Sequence, residues 1–296
     1  MADDLLYHYT SIGGLKGMLD SQSLWMTDIN YLNDSEEGKD FIAHINNFLC
    51  QSDFEQIVEK SKLWSLIKDL DFIRSAIIEF ASPDFFDEAK LDSYSISFSA
   101  KPDLLSQWRG YCPPEGGLCL GFSGLESISS ISGYEGDDNS DEYYIYHSSC
   151  LYGEHEKNAA TINFINSYLD LIYNIYLRGV NDRKYKPNID EMFEIFTFYF
   201  NNLTIFKNKH FMEESEFRII ANCKREIVNP NFREKMNILI PYIKLNFNTE
   251  NLKRIIIGPC ADQALAEQSL QRFLGSFGSD FEHVKIECSD IPYRQL

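Results

Sequence analysis

No stretch of this chain approaches the roughly 20 consecutive apolar residues of a membrane span, and its opening, MADDLLYHYTS, has neither the basic start nor the apolar run of a secretory signal. A cytoplasmic protein without a membrane partner is the expectation. Positive charge is scarce too: 27 Lys and Arg stand against 45 Asp and Glu, a formal charge of −18. A field of that sign repels phosphate backbones, which argues against a general nucleic-acid coat protein. The seven cysteines are odd in number and include no C-x-x-C, so reduced and mostly buried thiols are expected rather than a disulfide framework. Also missing are a G-x-x-x-x-G-K-S/T loop, a strand-borne G-x-G-x-x-G, a G-x-S-x-G elbow and H-E-x-x-H, the common nucleotide, hydrolase and zinc-protease signatures. His147, Cys150 and His155 are close in sequence but lack an evident fourth ligand, and no metal is expected. No internal repeat or low-complexity tract is present.

What is there is a chain of 296 residues, 44% hydrophobic and 24% charged, able to bury a sizeable core. Leu5 to Thr10 reads as a first strand, followed by a Gly13-Gly14 break and a short helix carrying Leu15, Met18 and Leu19. Asp34 with Glu37 three residues on is a helix-capping pair, and apolar residues recur at helical spacing from Phe41 to Phe80. Tyr94 to Ser99 alternates large apolar residues with serine, a strand with two unlike faces. Leu104 to Tyr111 predicts a short helix, Leu118 to Phe122 a strand, Gly133 to Asp141 an acidic loop, and Tyr143 to Tyr152 a strand or hairpin arm. Glu156 to Phe206 is helical in pattern, broken near Arg178 to Pro187. Glu216 to Ala221, Asn237 to Leu245, Lys253 to Ile257 and His283 to Cys288 read as strands, and Asp262 to Phe273 as an amphipathic helix. The order predicts one α+β domain over residues 1–296, its sheet assembled from distant segments, with helical insertions at about 36–83 and 156–206.

Three places put chemistry-bearing residues where core strands belong. His8 lies inside the first strand, where an imidazole needs a hydrogen-bond partner or a ligand, and a satisfied structural histidine is the ordinary account. Gln107-Trp108-Arg109-Gly110-Tyr111 crowds an indole, a guanidinium and a phenol before a turn, able to stack on a planar heterocycle or simply to close a core. Glu214 and Glu216 lie two residues apart entering a strand and so share a face; such carboxylates suit general-base work or stabilisation of a cation, or are an exposed strand end.

The spread of LYHYTS, YLNDSEE, SISFS, LLSQWRGY with GGLCLGF, EESEFRII, RIIIGP and DIPYR over nearly the whole chain resembles a large bacterial family of uncharacterised domains. The same landmarks are similar to the ADP-ribosyltransferase superfamily, whose split sheet holds NAD and whose triad is His-Tyr-Glu or Arg-Ser-Glu. What this resemblance implies is an ADP-ribosyltransferase-like split-sheet core with NAD as substrate and a protein or nucleic-acid acceptor. His8 with Thr10 takes the place of the ribose-binding strand, Tyr111 that of the ring stacked on nicotinamide, and Glu216, with Glu214 before it, that of the catalytic glutamate. Phe98 is the nearest aromatic for a second stacking ring and Tyr94 the next, while Arg109 or Arg218 would pair with the pyrophosphate. His8 fits the His-Tyr-Glu class; Ser97-x-Ser99 and Glu214-x-Glu216 echo Arg-Ser-Glu. The alternatives are a non-catalytic nucleotide-sensing or protein-interaction module, an NAD glycohydrolase, and a metal-dependent nuclease built from Asp34, Glu36, Glu214 and Glu216, which the overall charge argues against.

Overall fold

The structure, a computed structural model, describes residues 5–32, 38–82, 90–128, 130–132, 143–182, 184–186, 189–235 and 237–292. Its hub is a nine-residue strand, β3 (Leu91–Ser99), and the architecture follows from how the two edges of that strand are used. One edge pairs antiparallel with β6 (Glu216–Lys224) along its whole length, from Leu91 opposite Lys224 to Ser99 opposite Glu216; β6 in turn pairs with β5 (Tyr143–Ser149). Two strands share the other edge. β1 (Leu6–Thr10) takes only Ser99, through Tyr7, and β2 (Ser23–Asp28) takes only Tyr94 and Ser95, through Asp28 and Thr27. Between them no strand of the described residues pairs with Ile96 to Phe98 on that edge, and the sheet forks. One branch runs on through β4 (Leu118–Phe122), β9 (Leu252–Ile257) and β10 (Lys285–Cys288), the other through β8 (Ile238–Asn246) and β7 (Asn231–Lys235). The ten strands make one mixed sheet in an α+β fold, with β9 and β10 parallel and the other pairs antiparallel.

Period-two alternation sorts β3 between two cores. Tyr94, Ile96 and Phe98 point into the first, shared with Leu15, Met18 and Leu19 of α1 (Ile12–Ser21) and Leu270 and Leu274 of α8 (Gln263–Gly275). The opposite face carries Ser95, Ser97 and Ser99, level with Ile220, Arg218 and Glu216 of β6. Both helical blocks cover part of that second face. Helices α2 (Lys39–Leu49), α3 (Ser52–Lys60), α4 (Leu70–Phe80), α6 (Glu154–Asn181) and α7 (Ile189–Ile205) bury a common aromatic core in which Phe80 stacks on Phe196 at 5.3 Å, closing over Leu91 and Ile220. Neither block is packed alone: Tyr199 of α7 donates its hydroxyl to the Ala81 carbonyl at 3.1 Å, and Lys157 of α6 pairs with Asp40 of α2 at 2.5 Å.

Several sequence expectations shift. Gly13 and Gly14 do not break the chain but form the first turn of α1, where Ser11 caps the helix by accepting from Gly14 N at 3.0 Å. A Cβ on Gly14 would stand 2.1 Å from Thr10 Oγ1, so glycine lets the helix start directly against the strand. β2 and β7 are strands that the sequence pattern did not announce. The expected cap Asp34 with Glu37 and the acidic loop 133–141 lie outside the described residues, and α2 begins at Lys39.

Helix α5 (Leu105–Tyr111) is held by its buried tryptophan. Trp108 meets the edge of Tyr9 at 4.9 Å and donates Nε1–H to Asp103 at 2.8 Å, and its ring lies on Gly258, where an added Cβ would come within 2.7 Å of it and 3.0 Å of the Gly117 carbonyl. Gly258→Ala should therefore overpack this seam and cost about 1–3 kcal/mol in urea unfolding. An unchanged midpoint would show that Trp108 is not close-packed there.

Candidate functional site

The fork opens into a cleft of about 490 Å³ beside β3, lined from both of that strand's faces. Its lining joins segments remote in sequence: Tyr7 to Thr10 of β1, the first turn of α1, Thr27 of β2, Ser95 to Phe98 of β3, Tyr111 of α5, Glu214 and Glu216, and Arg233 to Lys235 of β7. Of the residues singled out from sequence, His8, Thr10, Phe98, Tyr111, Glu214 and Glu216 thus meet around one space, while Arg109 is exposed and is not among the lining residues.

His8 answers the question its position raised. Nδ1 is 2.9 Å from the Ser97 carbonyl, in the stretch of β3 edge that no strand of the described residues takes up. A carbonyl only accepts, so Nδ1 carries the proton. Burial pulls the imidazole pKa below its usual value, partly offset by that hydrogen bond and reinforced by the nearby Arg233 charge. The ring is neutral at pH 7, and Nε2 is left as an acceptor.

Tyr111 and Phe98 separate clearly. Phe98 is 2% exposed and its ring packs edge-on against Phe122 at 5.9 Å in the first core, whereas Tyr111 is 38% exposed. Of the two, only Tyr111 is exposed where it lines the cleft. Loss of hydration pushes its phenol pKa up to about 12, with Lys207, Glu214, Glu216 and Arg218 all within electrostatic reach. Trp108 closes the core beneath it.

Glu214 and Glu216 do not share a face by strand alternation, as their spacing suggested. Glu214 ends a 3-10 turn (Lys209–Glu214), and Ser215 takes a left-handed φ of 44° before β6 begins. That kink turns both carboxylates onto one cation. Lys207 Nζ contacts Glu214 at 2.7 Å and also pairs with Glu216, whose other oxygen accepts from Arg218 Nε at 2.7 Å. Arg218, 2% exposed, also donates Nη1 to the Thr204 carbonyl at 2.6 Å. It is built into the wall and does not line the cleft, so it is not placed to meet a pyrophosphate. The Glu216 backbone is fixed at both ends, donating N–H to Tyr152 Oη at 3.1 Å and accepting from Cys150 N at 2.9 Å. Burial alone would raise the Glu216 pKa, but Arg218 and Lys207 override it and hold the carboxyl down at about 2. The Glu216 charge in turn raises Lys207 above its usual value despite burial. Lys207 had no signal in the sequence beyond a lysine after an apolar helix.

Among the described residues, no group of three or more His, Cys, Asp or Glu is placed to hold a metal ion, and no helix is long and apolar enough to cross a membrane. Asp34 and Glu36 lie outside the described residues, and Glu214 and Glu216 are engaged by Lys207.

Residues 107–219 match the model of a family described as a protein of unknown function, DUF2971. The match fits an uncharacterised domain family. It runs from α5 into β6 and includes Tyr111, Lys207, Glu214 and Glu216, but leaves β1 and β7 outside. No curated protein and no solved structure matches the chain.

The depressed Glu216 pKa has a definite pH signature. Its contribution to stability, on the order of 3 kcal/mol, is fully present above the unfolded value near 4.5 and is lost as pH falls toward about 2. Glu216→Gln, which leaves Lys207 and Arg218 short of a countercharge, should cost about 3–5 kcal/mol at pH 7 and progressively less below pH 4.5. Denaturant unfolding across that range checks it; a pH-independent difference would contradict the ion-pair account.

Proposed function

We propose that the cleft binds NAD and that the protein is an ADP-ribosyltransferase-like enzyme. The nicotinamide–ribose bond breaks, its electron pair leaves with neutral nicotinamide, and a nucleophile of a protein or nucleic-acid acceptor bonds to the ribose C1′ and gives up its proton. The observation that carries this is the convergence of His8 and Thr10, Tyr111, and Glu214 with Glu216 on one cleft at the fork of the mixed sheet. Each has a fitting property. Neutral His8 presents Nε2 to accept from a ribose hydroxyl, Tyr111 offers a ring face to nicotinamide, and Glu216 remains ionised far below neutral pH. A carboxylate beside the ribose stabilises the oxocarbenium-like charge that develops as nicotinamide departs, a charge present only near the transition state.

One observation favours a second reading. Both oxygens of Glu216 are engaged by cations, which offset the negative charge that the reaction would use. A nucleotide-sensing module could retain the same cleft for binding alone.

Nicotinamide release under NAD saturation separates the two. Wild type is expected to release nicotinamide, and Glu216→Gln to lose on the order of 100-fold or more in turnover while still binding NAD at a temperature where it is folded. Equal rates would remove Glu216 from the chemistry, and a loss confined to Glu214→Gln would move the role to that carboxylate. No release by wild type, with protein and nucleic-acid acceptors supplied, would favour the sensing module; release with no acceptor would indicate water as the nucleophile. Tyr111→Ala should weaken NAD binding by about 1–2 kcal/mol with an unchanged thermal midpoint, since a stacking face is lost from a cleft and not from the core. A lower midpoint with unchanged NAD affinity would assign Tyr111 to the fold.

A further inference from the structure

Arg233 is a half-buried cation that no carboxylate of the described residues pairs with. Among the described residues it makes no ion pair: Nη2 donates to Thr27 Oγ1 at 2.7 Å, and the guanidinium lies 5.9 Å from the centre of the Tyr242 ring. The chain's deeply buried cations are treated otherwise, Lys157 pairing with Asp40, and Lys207 and Arg218 with Glu216. Acidic residues outnumber basic ones 45 to 27, so a lack of available carboxylates does not explain the exception. A partly desolvated guanidinium on a cleft wall is stabilised by an anion that the cleft receives.

Its neighbours are donors as well. Thr27 Oγ1 accepts from Arg233, so its own hydroxyl proton is directed elsewhere. Ser95 lies opposite Thr27 in the β2–β3 ladder, is 2% exposed, and its Oγ has no hydrogen-bond partner among the described residues. All three residues line the cleft, as does the first turn of α1, whose N-terminal end adds partial positive charge. Glu234, also at the cleft, alternates to the other face of β7 from Arg233.

We propose that Arg233, Thr27 and Ser95 form a phosphate-binding subsite on the β2–β8–β7 branch of the fork, so that the ligand of this cleft carries a phosphate or diphosphate group. A planar carboxylate would be satisfied by the guanidinium fork alone, leaving the two hydroxyl protons unanswered; a tetrahedral phosphate has oxygens for all three. The subsite deepens the NAD reading, on which it rests only for the nucleoside part of the probe. It faces the carboxylates of the β6 side across the same cleft, which would orient a ligand with an anionic centre and a cationic reacting end.

The test is calorimetric binding of inorganic pyrophosphate, ADP and adenosine to wild type, Arg233→Met, Ser95→Ala and, as a control for net charge, Arg272→Met on the exposed side of α8. Wild type should bind pyrophosphate and ADP, with ADP tighter than adenosine. Arg233→Met should weaken both phosphates about 10-fold or more and leave adenosine unchanged, and Arg272→Met should match wild type. Ser95→Ala carries the test should Arg233→Met not fold: its Oγ has no partner to lose among the described residues, so the thermal midpoint should hold or rise while phosphate affinity falls several-fold. Failure of wild type to bind pyrophosphate, equal affinity for ADP and adenosine, or phosphate affinity insensitive to both cleft substitutions overturns the proposal. Phosphate binding through Arg233 without nicotinamide release would retain the subsite and reject the transferase.

Discussion

Ser97 of β3 turns its backbone N–H and C=O to an edge where, among the described residues, no neighbouring strand takes them up, because β1 and β2 reach that edge at different heights. Unpaired groups inside a sheet are costly, so the gap must be satisfied from elsewhere. His8 supplies part of the answer by donating to the Ser97 carbonyl, and the remaining space is the cleft. The rest of the architecture maintains this separation. α1 connects β1 to β2 and packs into the first core, β4 secures β1 from its far side, β8 secures β2, and β6 spans the whole opposite edge of β3 as a continuous support.

The second face explains why charge can be buried beside the cleft. The helical layer ends where α7 delivers Thr204 and Lys207 to the start of β6, and there Arg218, Lys207, Glu216 and Glu214 form a group with as many cations as anions. Any one of these charges alone would be expensive at that depth; paired, they fix the geometry of a strand start and of one cleft wall. Arg233 stands outside this balance, on the other branch of the fork, bonded to a hydroxyl. The contrast between a wall that is neutral by pairing and a wall whose arginine has no carboxylate partner among the described residues gives the cleft its polarity.

Much of this was legible in the chain because the elements concerned obey local rules. β4 and α5 stand close to where periodicity and the Pro113-Pro114 turn put them, and the serine alternation of β3 identified both of its faces. β2 escaped because Leu24-Trp25-Met26 is a run of three apolar residues that shows no period-two alternation in the sequence, although only Leu24 and Met26 are buried. β7 escaped because Asn231 to Lys235 is a short, largely exposed edge strand, rich in charge as edge strands tend to be. With β7 unseen, Arg233 had no reason to be noticed. The Glu214–Glu216 pair was found for a reason the structure corrects, since their convergence comes from the left-handed Ser215 and the intervening lysine, neither of which two-residue spacing encodes. Phe98 had the composition of a stacking ring, but the register of β3 turns it into the core.

The account depends on the fork being the place where ligand is held, and amide hydrogen exchange with and without saturating NAD tests that directly. Binding should slow exchange in β1 and the first turn of α1, in α5, at Ile96 to Phe98 and in β7, while α2, α3, α4 and α6 exchange as before. Protection confined to the helical layer, or no protection anywhere at saturating NAD, would contradict it.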